Sequence, residues 1–303
     1  MSRVRDLIEK GRIKPPLWLG DNLAYEVITG SVSYGVSSDT SDCDIIGFTI
    51  PPKDVVFPHL RGEIVGFGQP VKRFDQFQAH HVDGEGISGA ATSYDLTVYG
   101  IVRFFQLCME NNPNMVDALF VPQRCVLTVT KVGLMVRDQR RLFLHKGAWH
   151  KFRGYAYSQL SKMEKSKPTG KRKALIEKHG MDTKFAYHVV RLLDECWQIL
   201  EDGDLDLTRS REVLKAIRRG EWTAAKVRDY FESREKVMMD LYATSSLRHR
   251  PDEGAIKALL LACLEEHYGS LEGCPTNEGD AVSVLRRVLA NLEQSAIDIN
   301  RLI

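Results

Sequence analysis

Apolar positions change period about a third of the way along the chain. From about residue 20 to 98 they come in short runs with strand texture: LAYEVIT (23–29), DIIGFTI (44–50), DVVFP (54–58), EIVGFG (63–68) and TSYDLTV (92–98). Gly, Pro and Asp/Ser turns separate them, which predicts a small sheet. From residue 100 the spacing becomes helical. GIVRFFQLCMENN (100–112) carries apolar residues at 101, 102, 104, 105 and 108 and closes on Asn112-Pro113, as a helix ending before proline does. Helical periodicity then dominates: KVGLMVRDQRRLFL, AWHKFRGYAYSQLSKMEK, TKFAYHVVRLLDECWQIL, AAKVRDYFESREKVMMDLY and AIKALLLACLEEHY. The expected class is α+β, with a mixed-sheet core at 1–125 and an all-α part at 126–303. SKPTGKRK (166–173), DGDLDLTRS (202–210) and GSLEGCPTNEGD (269–280) read as exposed connections.

Composition narrows this little. With 303 residues, 43% hydrophobic and 27% charged, the chain matches ordinary globular proteins, and no apolar run reaches the roughly 18 residues a membrane span requires. The opening MSRVRDLIEKGRIK lacks the apolar stretch of a secretory signal. Six cysteines (43, 108, 125, 196, 263, 274) show no CxxC spacing, which points to a reducing, cytoplasmic setting without zinc site or disulfide framework. Charge is more telling. Between Arg137 and Arg191 fifteen Lys or Arg face four acids, a local balance of +11 against −9 for the rest of the chain. Such a segment suits a polyanionic partner.

The stretch ITGSVSYGVSSDTSDCDIIGF (28–48) concentrates the candidate chemistry. A strand ending at Thr29-Gly30-Ser31 and followed by a short helix over 32–34 would turn backbone N–H groups outward, and glycine lets a phosphate approach them closely. On a strand, Asp42 and Asp44 project from one face. Two carboxylates so placed are hard oxygen ligands for Mg²⁺, with Mn²⁺ as substitute. Each dipeptide alone is also what a plain turn or cap looks like.

Gly30-Ser31, Gly35 and Ser41-Asp42-x-Asp44 together resemble the signature of DNA polymerase β-like nucleotidyltransferases. YDLTVYGIVRFFQLCMENNPNMVDALFVP (94–122) and KHGMDTKFAYHVVRLLDE (178–195) are similar to segments of a nucleotidyltransferase family within that superfamily associated with RNA repair. The resemblance implies a third carboxylate on a neighbouring strand, for which Asp95 is the candidate and Asp75 and Asp83 the competitors. It further implies two-metal transfer of a nucleoside monophosphate from an NTP to a hydroxyl, with RNA as acceptor, Gly30, Ser31 and Ser41 holding phosphates, and an RNA-repair ligase as companion. Transfer to a protein or small-molecule hydroxyl, or a non-catalytic nucleic-acid-binding module, are the alternatives.

Lys184, His188 and Arg191 fall within about 60° on a helix and could line a cleft against the triphosphate or acceptor, although a solvated face has the same spacing. Arg153 and Lys171-Arg172-Lys173 are candidate acceptor contacts in the basic segment. The stretch 59–91, with Gly84, Gly86 and Gly89, is expected to be a mobile flap. His80 and His81, adjacent on a strand, are expected to face opposite ways.

Overall fold

The computed structural model describes residues 2–37, 42–64, 66, 68, 73–85, 91–165 and 170–271. The chain divides into two compact units, Met1–His267 and Tyr268–Ile303. Five strands, β1 (Leu23–Ile28), β2 (Cys43–Thr49), β3 (Gln76–Glu85), β4 (Ala91–Gly100) and β5 (Val126–Val129), form one sheet in the order β3-β4-β2-β1-β5. β2 and β4 are parallel and every other pair is antiparallel. The helices are α1 (Arg3–Glu9), α2 (Gly30–Ser33), α3 (Lys53–Val56), α4 (Ile101–Met109), α5 (Pro113–Phe120), α6 (Lys131–Asp138), α7 (Ala148–Lys165), α8 (Lys171–His179), α9 (Thr183–Asp202), α10 (Arg211–Arg218), α11 (Ala224–Thr244) and α12 (Glu253–Tyr268). No helix among the described residues is long and apolar enough to cross a membrane.

The architecture is the expected mixture of sheet and helices. β1 is buried at all six positions, which is why its sequence is apolar rather than alternating. Glu26 in its middle is the exception. Fully buried, its Oε1 accepts the N–H groups of Arg3 and Val4, both at 2.9 Å, and so anchors the first turn of α1 to the sheet. α4 stops at Met109, followed by Asn111 at φ +50°, and Pro113 opens α5, where Asn112 caps by accepting from Asn114 N at 3.1 Å. In the helical part α7 packs along α9, α10 and α11 pack against α9, and Cys196 and Leu193 of α9 are buried.

Several expectations are corrected. DVVFP folds as α3 followed by a 3₁₀ turn, because prolines at 51, 52 and 58 leave too few ladder donors for a strand. The segment read as a flap over 59–91 contains β3, an edge strand paired along β4, while residues 86–90 lie outside the described residues. Lys171-Arg172-Lys173 is no loop but the first turn of α8, entered through Gly170 at φ +59°. The connection 269–280 lies almost wholly outside the described residues.

Candidate active site

β1 leads straight into the turn of α2, and β2 holds that turn in place: Thr29 N donates to the Asp44 carbonyl at 2.8 Å. Gly30 lies at φ +66°, and a Cβ there would collide with Asp44 Oδ2 and stand 3.0 Å from its Cγ. Glycine is therefore required twice, for the left-handed backbone and for seating the Asp44 carboxylate against the turn. Across the parallel ladder Asp44 stands opposite Asp95. Asp42 is exposed just before β2, and all three acids line one cleft of about 810 Å³ together with Gly30 and Ser31. Asp75 and Asp83, the competitors for the third carboxylate, do not line it. Ser41 lies outside the described residues.

Burial, then the neighbouring Asp95 and, more weakly, Asp42 raise the Asp44 pKa, with Lys184 opposing them. Among the described residues no three His, Cys, Asp or Glu side chains are grouped tightly enough to enclose a metal ion. Crowded, partly desolvated carboxylates at the mouth of a cleft nonetheless fit Mg²⁺, which commonly takes one or two carboxylates and fills its shell with water and substrate phosphate.

His80 and His81 do not point opposite ways. The β3–β4 register shifts between Ala79, opposite Leu96, and Val82, opposite Tyr94, so two histidines face the single residue Asp95. This is a β-bulge, with His81 at φ +52°. His81 N donates to Asp95 Oδ1 at 2.8 Å, and the Nδ1 atoms of His80 and His81 lie 3.6 and 3.8 Å from it.

The opposite wall is basic. Lys184, His188 and Arg191 of α9 all line the cleft, joined by Arg172 of α8 and Arg218 of α10. They are not three equivalent cations. Lys184 is exposed; His188 is held well below its ordinary pKa by burial, then by Arg191, Lys184, Arg172 and Arg218, so it presents a neutral imidazole. The Arg191 guanidinium is buried and bonded to Asp117 at 2.6 Å and to Glu195 at 2.7 and 3.0 Å, while Tyr34 donates to Asp117 at 2.5 Å. Arg172 sits over the Phe185 ring and 3.3 Å from Asp182, the residue that caps α9 by accepting from Lys184 N and Phe185 N. That clamp brings the start of α8 to the start of α9.

The model of the RNA repair pathway DNA polymerase beta family matches residues 18–236. The chain belongs to that family. It is thus a member of a polymerase β-like nucleotidyltransferase family linked to RNA repair, and the match takes in the sheet, the acidic edge and the helices of the basic wall. No curated protein matches the sequence. Among solved structures, a nucleotidyltransferase-like protein from Exiguobacterium sibiricum is similar at 10% identity over 87% of this chain and 79% of that one, with a TM-score of 0.28, too loose to support any argument.

Of the basic residues singled out in this family member's sequence, Arg172 reaches the cleft, whereas Arg153 and Lys173 do not line it. Arg153 pairs with Glu235 of α11 and lies over Trp149, and Lys173 pairs with Glu177. Sequence reasoning missed Arg218, Tyr187, Tyr34 and His80. Tyr187 was within reach, since it lies three residues after Lys184 on the same helical stripe. Arg218 was not: its Nη1 bonds the Val36 carbonyl at 2.5 Å, a contact between distant parts of the chain.

Proposed function

We propose that this chain transfers a nucleoside monophosphate from an NTP to a hydroxyl of an RNA acceptor. The acceptor oxygen bonds to the α-phosphorus, the bond from that phosphorus to the β-phosphate bridge breaks, the hydroxyl proton passes to the Asp95 carboxylate and on to water, and pyrophosphate leaves. The observation that carries this reading is one cleft with an acidic edge of Asp42, Asp44 and Asp95 facing a basic wall of Lys184, Arg172 and Arg218. Mg²⁺ or Mn²⁺, held by Asp42 and Asp44 with Asp95 completing a second position, would neutralise phosphate charge and lower the pKa of the attacking hydroxyl.

The chain's own groups do the positioning. The N–H groups and hydroxyl of Gly30-Ser31 bind the β- and γ-phosphates, and Lys184, Arg172 and Arg218 balance the triphosphate charge. The His81 N–H fixes the rotamer of Asp95 so that its free oxygen faces the acceptor hydroxyl. His188, neutral, donates a hydrogen bond without adding charge. The helices that follow β5 dock the acceptor.

Each α-³²P-labelled NTP, supplied with Mg²⁺ or Mn²⁺ and a pool of RNA, DNA and protein acceptors, tests the reading against an Asp42→Ala/Asp44→Ala control. Label on RNA that depends on the acidic pair supports it. Label confined to protein overturns the acceptor, and no label on any acceptor overturns the activity.

A further inference from the structure

α7 presents a face that the cleft does not use. At 100° per residue Lys151, Tyr155, Ser158 and Lys162 fall within 60° of one another, and they line a separate shallow groove of about 430 Å³ together with His150, Gly154 and Gln159. From Lys151 to Lys162 the stripe runs about 16 Å along the helix. No residue among those lining the groove is acidic, although Glu110 pairs with Lys151 at 3.3 Å from outside it. Tyr155 is 41% exposed, a large aromatic ring held toward solvent between two lysines.

Gly154 is the second peculiarity. Glycine inside a helix costs stability relative to alanine, yet a Cβ at Gly154 would meet nothing within 4 Å. Packing therefore does not require it. Its absence of a side chain leaves the groove open at that position.

We propose that this face of α7 is the track of a single-stranded RNA acceptor, with a base stacked on Tyr155 over Gly154 and phosphates held by Lys151 and Lys162. The proposal rests on the function proposed above and deepens it by locating the acceptor outside the cleft. An exposed aromatic flanked by cations is the arrangement that binds single strands without reading their sequence. The groove offers a single large apolar side chain, too little to seat an amphipathic helix, whose recognition needs several spaced anchors.

The test is binding of a fluorescein-labelled single-stranded RNA of about 12 nucleotides to the full chain, by anisotropy at several salt concentrations and without NTP. Tyr155→Ala is expected to weaken binding roughly 5- to 100-fold and Tyr155→Phe to restore it. Lys151→Gln and Lys162→Gln should each flatten the logarithmic salt slope by about 0.7. Gly154→Ala separates the proposal from a structural role, because it should raise Tm while weakening RNA binding. Wild-type affinity in Tyr155→Ala and in both lysine variants overturns the groove, as does equal competition by poly-glutamate, which carries charge without bases. Asp42→Ala/Asp44→Ala should not weaken binding. Tyr155-dependent RNA binding without nucleotide transfer would keep the groove and reject the activity, whereas transfer to RNA insensitive to all four positions would do the reverse.

Discussion

Asp44 and Asp95 occupy the same rung of the parallel β2–β4 ladder, which fixes two carboxylates from segments 51 residues apart side by side at the edge of one cleft. Backbone register sets them side by side, the Gly30 turn and the His81 N–H seat their carboxylates, and the pair costs the fold something: burial and then Asp95 push Asp44 toward its protonated form. Asp44→Asn is therefore expected to raise Tm without divalent cations while lowering transfer by about 10²-fold or more. Thermal melts beside the radiolabel assay check both halves. A variant that loses stability and activity together would mean that Asp44 is a structural acid.

Gly30 should be as sensitive as the acids it supports. Gly30→Ala forces a side chain into a left-handed position and against the Asp44 carboxylate, costing about 1–2 kcal/mol of stability and, through displacement of Asp44, about 10²-fold in transfer. Gly35 is the control. It also has positive φ, at +69°, but its Cβ would meet the flexible Arg211 side chain, with Cδ at 2.7 Å. Gly35→Ala should show a comparable fall in Tm with most transfer retained, and equal activity losses in the two variants would remove the special role of Gly30.

Much of this site could be read from the chain because its acids lie on strands with strong apolar texture. β1 is apolar but for Glu26, β2 carries the run IIGF, and β4 alternates with Tyr94, Leu96 and Val98 buried, so Gly30, Ser31, Asp42 and Asp44 could be placed at strand ends or on strand faces from local pattern, and Asp95 with the help of the family resemblance. β3 could not. Its sequence QFQAHHVDGE is polar because it is an edge strand with much of its length exposed, and its two-for-one bulge defeats any period-two reading. α8 was half missed because KRKALIEKH has almost no apolar face, and α5 because Asn-Pro reads as an end when it is a beginning. The family's motifs drew attention to Asp117 only as part of a matching stretch. Its place beneath Arg191 and Tyr34 is a tertiary fact, set by the packing of α5 against α9, which no local pattern encodes.

Glu26 gives the fold a measurable pH signature. Burial raises its pKa, opposed by hydrogen bonds that include those from Val4 N and Arg3 N. A carboxyl group whose folded-state pKa is raised stabilises fully below its unfolded value, and that contribution is lost as pH rises through the folded value. Glu26→Gln, which keeps an acceptor for α1 without the buried charge, should thus be more stable than wild type at pH 7 to 8. The difference should shrink toward zero as pH falls to the ordinary glutamate value of 4.5. Urea unfolding at both ends of that range measures it; a gap that widens on acidification would show that the carboxylate is stabilised by its donors.

Arg191 shows why a residue can line the cleft and still serve the fold first. Its guanidinium is the shared partner of two buried carboxylates, Asp117 and Glu195. Removing it leaves two buried carboxyl groups without their cation in a place water does not reach, at a cost of about 3–5 kcal/mol. Arg191→Ala should accordingly unfold well below the wild-type temperature or fail to accumulate, whereas Lys184→Gln, at an exposed position on the same stripe, should leave Tm almost unchanged and raise the KM for NTP. Neutralising the stranded partners separates structure from chemistry. Arg191→Met combined with Asp117→Asn and Glu195→Gln should recover most of the lost Tm, because no unpaired charge remains buried. If transfer returns with stability, Arg191 acts by holding α5 and α9 in register; if the protein refolds and NTP binding stays weak, the guanidinium also serves the triphosphate directly.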